Sequence, residues 1–345
     1  MSRSTPAVRR LATGALAAIS LAACADSSTT LPSSPSAVPA EPSASVSEFN
    51  SERHVFHTKD WFARNNVRPS GGGGTGISYH GGSVLQNGTN VVAIYWGNVG
   101  YQSLPSTATG AGSTDGSLIG TFLTNLSNLT DAAAGKNYYR INGTYWGPGG
   151  SSTTNLIVPT VAYTKFWNTG YDASAPVPSA SPTDADMIAL VNWGIANGRI
   201  AYDKNTLYAI FTGTGVNLGG GFGSQYCAYH THGTNTAGTF YYAAMPFNQQ
   251  YPSGCTSQFA SPNADVAANS EVNTLAHEIE ETTTDNMGNA WYDSRGYENA
   301  DKCAWTWGTT ASANGGTYNL KFSGNYFLVQ QNWVNAGSGG CTTGY

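Results

Sequence analysis

One stretch constrains this chain more than any other. It runs from Thr274 to Trp305 and reads TLAHEIEETTTDNMGNAWYDSRGYENADKCAW. It holds seven of the chain's 20 acidic residues: Glu278, Glu280, Glu281, Asp285, Asp293, Glu298 and Asp301. Acids gathered this densely repel one another unless something positive sits among them. Arg295 is the one Arg or Lys between Glu278 and Asp301, with Lys302 just beyond. A bound metal ion is the economical explanation.

The start of the stretch has helical periodicity. Val272, Leu275, Ala276 and Ile279 fall at i, i+3, i+4 and i+7, one apolar stripe. A Ser261-Pro262-Asn263 turn precedes it, and Asn263 or Asp265 can cap the helix. At about 100° per residue, His277 and Glu281 stand about 40° apart, opposite the stripe. They are expected to look outward together and to grip one ion, with Glu278 between the two faces. In the zinc helix His-Glu-x-x-His, two histidines hold the metal and the Glu takes a proton from its water. Here Glu281 replaces the second His. A carboxylate is an acceptable zinc ligand, and it admits calcium or manganese more readily. Glu298, 17 residues beyond Glu281, and Asp301, three further on, are the candidates for the remaining acid contacts. The bland alternative is a solvated acidic face followed by a hydrogen-bonded loop.

The N-terminus reads as an export signal over residues 1–23. Arg3, Arg9 and Arg10 precede a small apolar run, Leu11 to Ala23, too short for a permanent span. Leu21-Ala22-Ala23-Cys24 is similar to a bacterial lipobox, which makes Cys24 the expected lipidation site and the membrane the expected anchor. Residues 24–75 are expected to be a Ser/Pro/Gly-rich tether or a pro-segment. Residues 25–50 are almost wholly Ser, Pro, Ala and Thr, which cannot bury a core. Residues 51–68, with His54, Phe56, His57, Trp61 and Phe62, are expected to be a pro-segment or to dock on the domain, and Gly71–Gly74 closes the linker. A single domain is expected over 76–345.

Its elements read in order as follows. Thr89 to Trp96 is a buried strand and Gly116 to Ala134 a helix. Tyr138 to Tyr145 and Asn155 to Tyr163 read as strands. A helix starts at Thr183 and stops at Gly198. Thr206 to Gly213 and Thr239 to Met245 are strands flanking a Gly219–Gly221 loop that leads into Cys227-Ala228-Tyr229-His230. After the motif helix, Tyr318 to Phe322 and Tyr326 to Gln330 form a hairpin. The alternation fits an α/β domain, a mixed sheet with packed helices in a zincin-like arrangement.

Four cysteines lie in the domain: Cys227, Cys255, Cys303 and Cys341. An even number in an exported chain predicts two disulfides. Three pairings are open. The sequence-local one, Cys227–Cys255 with Cys303–Cys341, is favoured and would tie the acidic loop to the C-terminus. Of the histidines, His54 and His57 fall in the tether. His230 is a candidate ligand or proton donor beside His277, ahead of His80. No basic patch with interleaved aromatics exists, so no nucleic-acid partner is expected.

Several blocks occur in a fixed order: YHGG (79–82), VVAIYWGN (91–98), CAYH (227–230), AHEIEE with TTTD (276–285), NAWYD (289–293), ENADKC (298–303) and FLVQQNW (327–333). Together they resemble the phosphate-induced protein family, also called EXORDIUM-like, from about Tyr79 to Cys341. The family's His-Glu-x-x-Glu is similar to a zincin helix. That resemblance implies a metal-dependent peptidase with His277 and Glu281 as ligands, Glu278 as base, and Glu298 or Asp301 as further acid contacts. Plant members carry one more Cys before each position matching Cys227 and Cys255. Gly223 and Tyr251 stand near those places here, which supports the sequence-local pairing.

The functional expectation is an exported, lipid-anchored or secreted metal-dependent hydrolase, a zinc peptidase acting on a peptide or cell-wall substrate. His230 or Tyr292 would stabilise the oxyanion. Zinc is the expected ion and calcium the alternative. The rival expectation is a non-enzymatic surface protein with a structural metal, binding glycan or a partner.

Overall fold

The computed structural model describes residues 53–65 and 76–345. The segment read as an export signal, the expected lipidation site Cys24 and residues 25–50 lie outside the described residues. The sheet at the centre has seven strands: β1 (His54–His57), β2 (Thr89–Tyr95), β3 (Thr109–Ala111), β4 (Val161–Asn168), β5 (Thr206–Phe211), β6 (Tyr226–Asn235) and β7 (Gly238–Met245). Their spatial order is β1-β6-β7-β5-β2-β4-β3. β7, β5, β2 and β4 run parallel, and the edges are antiparallel. The mixed α/β sheet expected from the alternation is therefore present.

Strand alternation sorts the core into two layers. Val91, Ala93, Tyr95, Leu207, Ala209 and Phe211 face one side. There they meet helices α2 (Leu118–Asn125) and α5 (Val266–Thr284). Val92, Ile94, Tyr208 and Ile210 face the other side, against Met187, Leu190 and Val191 of α3 (Asp184–Ala196). Both faces of the central strands are covered, which is why β2 and β5 read as nearly unbroken apolar runs. Two short helices, α1 (Lys59–Arg64) and α4 (Pro252–Cys255), lie at the β1 edge.

Asp265 caps α5, accepting from the Ala268 N–H at 3.0 Å. The helix differs from expectation in its surroundings. Every residue from Ala268 to Thr284 is buried, so His277 and Glu281 do not look out to solvent. The apolar stripe meets the sheet, and the polar side is roofed by later chain. Gln330 donates its backbone N–H to Asn273 at 2.7 Å and its side-chain amide to the Ala300 carbonyl at 2.8 Å.

Three local readings change. Tyr138 to Tyr145 is not a strand; Tyr139–Thr144 is a run of 3-10 turns. Its hydroxyls and amide seek polar partners on α5 and nearby: Tyr139 bonds Thr283 at 2.7 Å and Asn142 bonds Glu280 at 2.5 Å. Tertiary partners outweigh the β-propensity of the tyrosines here. The helix expected from Gly116 to Ala134 ends at Asn125, after which Asp131 gathers the N–H groups of Ala133 and Ala134 into a turn. The strand read over Asn155–Tyr163 is split into Thr154–Leu156 and β4, because Pro159 cannot donate to a ladder. The final hairpin is real but shorter, Leu320–Phe322 against Asn325–Phe327, turning through Ser323 and Gly324 at φ 48° and 82°.

Disulfides join Cys227 to Cys255 and Cys303 to Cys341. They close loops of 28 and 38 residues, each contributing about 3–4 kcal/mol on chain-entropy grounds. Among the described residues, no helix is long and apolar enough to cross a membrane.

Candidate metal centre

α5 supplies His277, Glu278 and Glu281. The helical repeat sets His277 Nε2 3.0 Å from Glu281 Oε1. Asp301 arrives on a 3-10 turn, Asp301–Cys303, pinned by the Cys303–Cys341 disulfide. Its backbone N–H donates to Glu281 Oε1 at 3.0 Å, and its Oδ1 lies 3.6 Å from His277 Nε2. His277, Glu281 and Asp301 thus offer three ligand atoms within 4.8 Å of one another.

His230 stands on β6 and links this triad to a second group. Its Nδ1 is 3.1 Å from Glu278 Oε2 and 3.7 Å from Glu281 Oε2. Its Nε2 is 3.4 Å from the Asp285 carbonyl and 3.9 Å from Glu298 Oε1. Glu298 in turn meets His54 Nδ1 at 2.9 Å. Three overlapping groups could therefore hold an ion: His54, His230 and Glu298; His230, Glu278 and Glu281; and His277, Glu281 and Asp301, with Glu281 and His230 shared between neighbours.

The remaining acids of the stretch are accounted for separately. Asp285 accepts N–H groups from Asn289, Ala290 and Trp291 and so shapes the loop. Asp293 pairs with Lys302 at 3.1 Å and with Arg295 at 3.4 Å. Both nearby basic side chains are engaged there. Among the described residues, the ion pairs of Glu278, Glu281, Glu298 and Asp301 are all with histidines.

Burial decides the electrostatics. Loss of water pushes the carboxyls of Glu278, Glu281, Glu298 and Asp301 well above the usual carboxylate range, and their mutual repulsion adds to this. Burial pushes His277 and His54 down to about 4, and holds His230 well below the ordinary imidazole range. Without a cation the group stays neutral, as carboxylic acids beside imidazoles. Among the described residues, that state leaves Glu278 Oε1, Glu281 Oε2, Glu298 Oε1 and Asp301 Oδ1 buried with no hydrogen-bond partner. Each such atom costs about 1–3 kcal/mol. A divalent cation would satisfy several of them at once and reverse the protonation of the acids that hold it.

The donor set fits zinc. One imidazole and two carboxylates are a common three-ligand complement. Bonds of ~2.0–2.1 Å in a tetrahedron place ligands ~3.3 Å apart, and the 3.0 and 3.6 Å separations bracket that value. Calcium would ask for six to eight oxygens, against a set whose centre includes a nitrogen.

Other candidates lie elsewhere. Tyr292 pairs with Ser78, and its ring stacks on the exposed His80 at 3.7 Å; neither belongs to any of the ligand groups. The residue that sequence reasoning missed is His54. It falls in the stretch read as tether, yet β1 docks on β6 with His54 opposite His230. The signal was present in His54-Val55-Phe56-His57, an alternating run beside Trp61-Phe62.

Residues 183–342 match the family described as phosphate-induced protein 1 conserved region. The match covers the centre from α3 through Cys341 and supports the family that the sequence blocks resemble. No curated protein and no solved structure matches the chain.

Proposed function

We propose that the protein is an exported metal-dependent hydrolase, a zinc peptidase with a zincin-like centre. The observation that carries this reading is the buried triad His277–Glu281–Asp301, in which Glu281 Oε2 and Asp301 Oδ1 have no hydrogen-bond partner among the described residues, beside a further carboxylate, Glu278. Zinc bound there would polarise a carbonyl and ease deprotonation of a water. Glu278 Oε1 has no hydrogen-bond partner among the described residues, which supports Glu278 as the group that takes the proton. Its other oxygen is held by His230 at 3.1 Å, which fixes the carboxylate and leaves His230 as the proton relay behind it. The two disulfides are compatible with an oxidising compartment outside the cytoplasm. Lipid anchoring at Cys24 belongs to the same proposal.

One observation favours a second reading. The centre is closed: His277 is fully buried, and the Asp301 side chain is only 10% exposed. Closed sites are typical of structural zinc, which suits a surface protein that binds glycan or a partner. Metal analysis of the purified protein and of His277→Ala is the first test. One zinc per chain that vanishes in the variant, with peptide cleavage by the wild type, supports the hydrolase. Zinc without cleavage of any peptide in a library supports the structural role. Absence of metal from wild type overturns both.

A further inference from the structure

Besides the later chain that roofs α5, one short N-terminal segment, residues 53–65, covers the centre. β1 adds to the edge of the sheet in antiparallel register, with His54 opposite His230, Val55 opposite Tyr229 and Phe56 opposite Ala228. Without it, β6 would present an unpaired edge beside the triad, and such edges are templates for extended peptides. Alternation sends His54 and Phe56 toward the centre. The His54 ring stacks on His230 at 5.0 Å. Phe56 stacks on His277 at 4.0 Å and on Trp305 at 4.6 Å. Arg53 reaches Asp184 at 2.7 Å and lies 4.4 Å over the Tyr229 ring.

The receiving surface is shaped for this strand. Trp305 holds φ 60°, a left-handed conformation costly for a non-glycine residue. Its indole N–H donates to the His57 backbone carbonyl at 3.0 Å, a contact any peptide could make. Gly288 leaves room for His54; a Cβ there would lie 1.9 Å from the imidazole. The segment has its own small apolar cluster, in which Phe56 and Phe62 meet Cys227, Cys255 and Ala304. Its contact with the two large core layers is slight: no residue of 53–65 is among their buried members, and Val55, half-buried, packs on the edge of the second.

We propose that the β6 edge and Trp305 form a binding groove for extended peptides, and that residues 53–57 occupy it as a removable, substrate-like strand. The ligand class is a peptide with a basic residue meeting Asp184 and, three positions on, an aromatic residue seated between His277 and Trp305. The groove's use in catalysis rests on the hydrolase reading, but peptide binding does not. A pocket of about 290 Å³, walled by Arg53, His54, Val55, His57 and Trp61 and by Tyr297 and Glu298, shows where the strand borders solvent.

The test uses the full chain and a fluorescent peptide with the sequence of residues 53–64. In Arg53→Ala/Phe56→Ala the internal strand is weakened, and the peptide binds at least tenfold tighter than to wild type. A covalently attached competitor acts at roughly millimolar effective concentration, and that competition is what the variant relieves. The same peptide with Ala at the position of Phe56 loses the binding. In wild type, amide hydrogens of 54–57 exchange together and faster than those pairing β6 with β7. Failure of the folded variant to bind, loss of its fold, or exchange of β1 at the rate of β6–β7 overturns the proposal. Binding without cleavage leaves the groove standing and removes the hydrolase. Equal cleavage of peptides by wild type and variant does the reverse.

Discussion

Two sets of buried acids share α5, and they are buried in different company. Glu271 and Glu280 stand singly. Asn248 donates its backbone N–H toward Glu271, and Asn142 donates its side-chain amide to Glu280. Tyrosines surround both: Tyr101 near Glu271, and Tyr138, Tyr139 and Tyr145 near Glu280. Each is a neutral acid among neutral donors. Glu278 and Glu281 instead face two more acids, Glu298 and Asp301, and three histidines. Equal burial therefore has different consequences. A lone acid keeps its proton and is content, while a cluster of acids and imidazoles gains most from a metal.

The largest effect should come from changing one set without the other. Glu281→Gln is expected to remove bound metal, from one ion per chain to none. Its neighbour change Glu280→Gln leaves the content unaltered, by elemental analysis after gel filtration. If both variants keep the metal, the distinction between the sets fails. Next, Glu278→Gln should retain the ion while peptide cleavage falls by about 10²–10⁴. Loss of the ion in this variant would make Glu278 a ligand instead of the base.

The solitary acids predict a pH effect. Burial raises Glu271 from 4.5 to about 8 in the fold. Between those values the native state holds a proton that the unfolded chain has released, so stability falls as pH rises. The slope from this group is up to about 1.4 kcal/mol per pH unit. Glu271→Gln should remove that slope and leave the variant a few kcal/mol more stable than wild type at pH 9, read by urea denaturation. An unchanged slope between pH 5 and 8 would mean that Glu271 is not the neutral acid its burial implies. The smallest effect is at Asn142→Ala, which strips Glu280 of its amide donor. A loss of about 1–3 kcal/mol is expected, with metal content intact.

Much of the centre was legible in the chain. The one-turn spacing of His277 and Glu281, the adjacent Glu278 and the downstream Asp301 all carried the metal expectation, and these four come together. Cys227–Cys255 and Cys303–Cys341 followed from locality and from the family pattern. β6 was less legible. Tyr226 to His232 has no clean alternation, because most of its residues are buried on both faces. The place of His54 was harder to read for a different reason. Its alternating run hints at a strand, but it lies 176 residues before His230, by the difference of their numbers, and nothing local names that partner.

By itself, the sequence determined what depends on backbone repeat and near neighbours: the motif helix, the buried strands β2 and β5 and the terminal hairpin. These follow from periods of 3.6 and 2 residues and from turn chemistry, which any local window contains. Only the tertiary structure decided that α5 is buried on every side, that Glu298 turns to His54 and His230, and that an N-terminal strand lies across the centre. Those outcomes rest on which distant segments lose water together. Desolvation is a property of the packed whole, and no spacing along the chain encodes it.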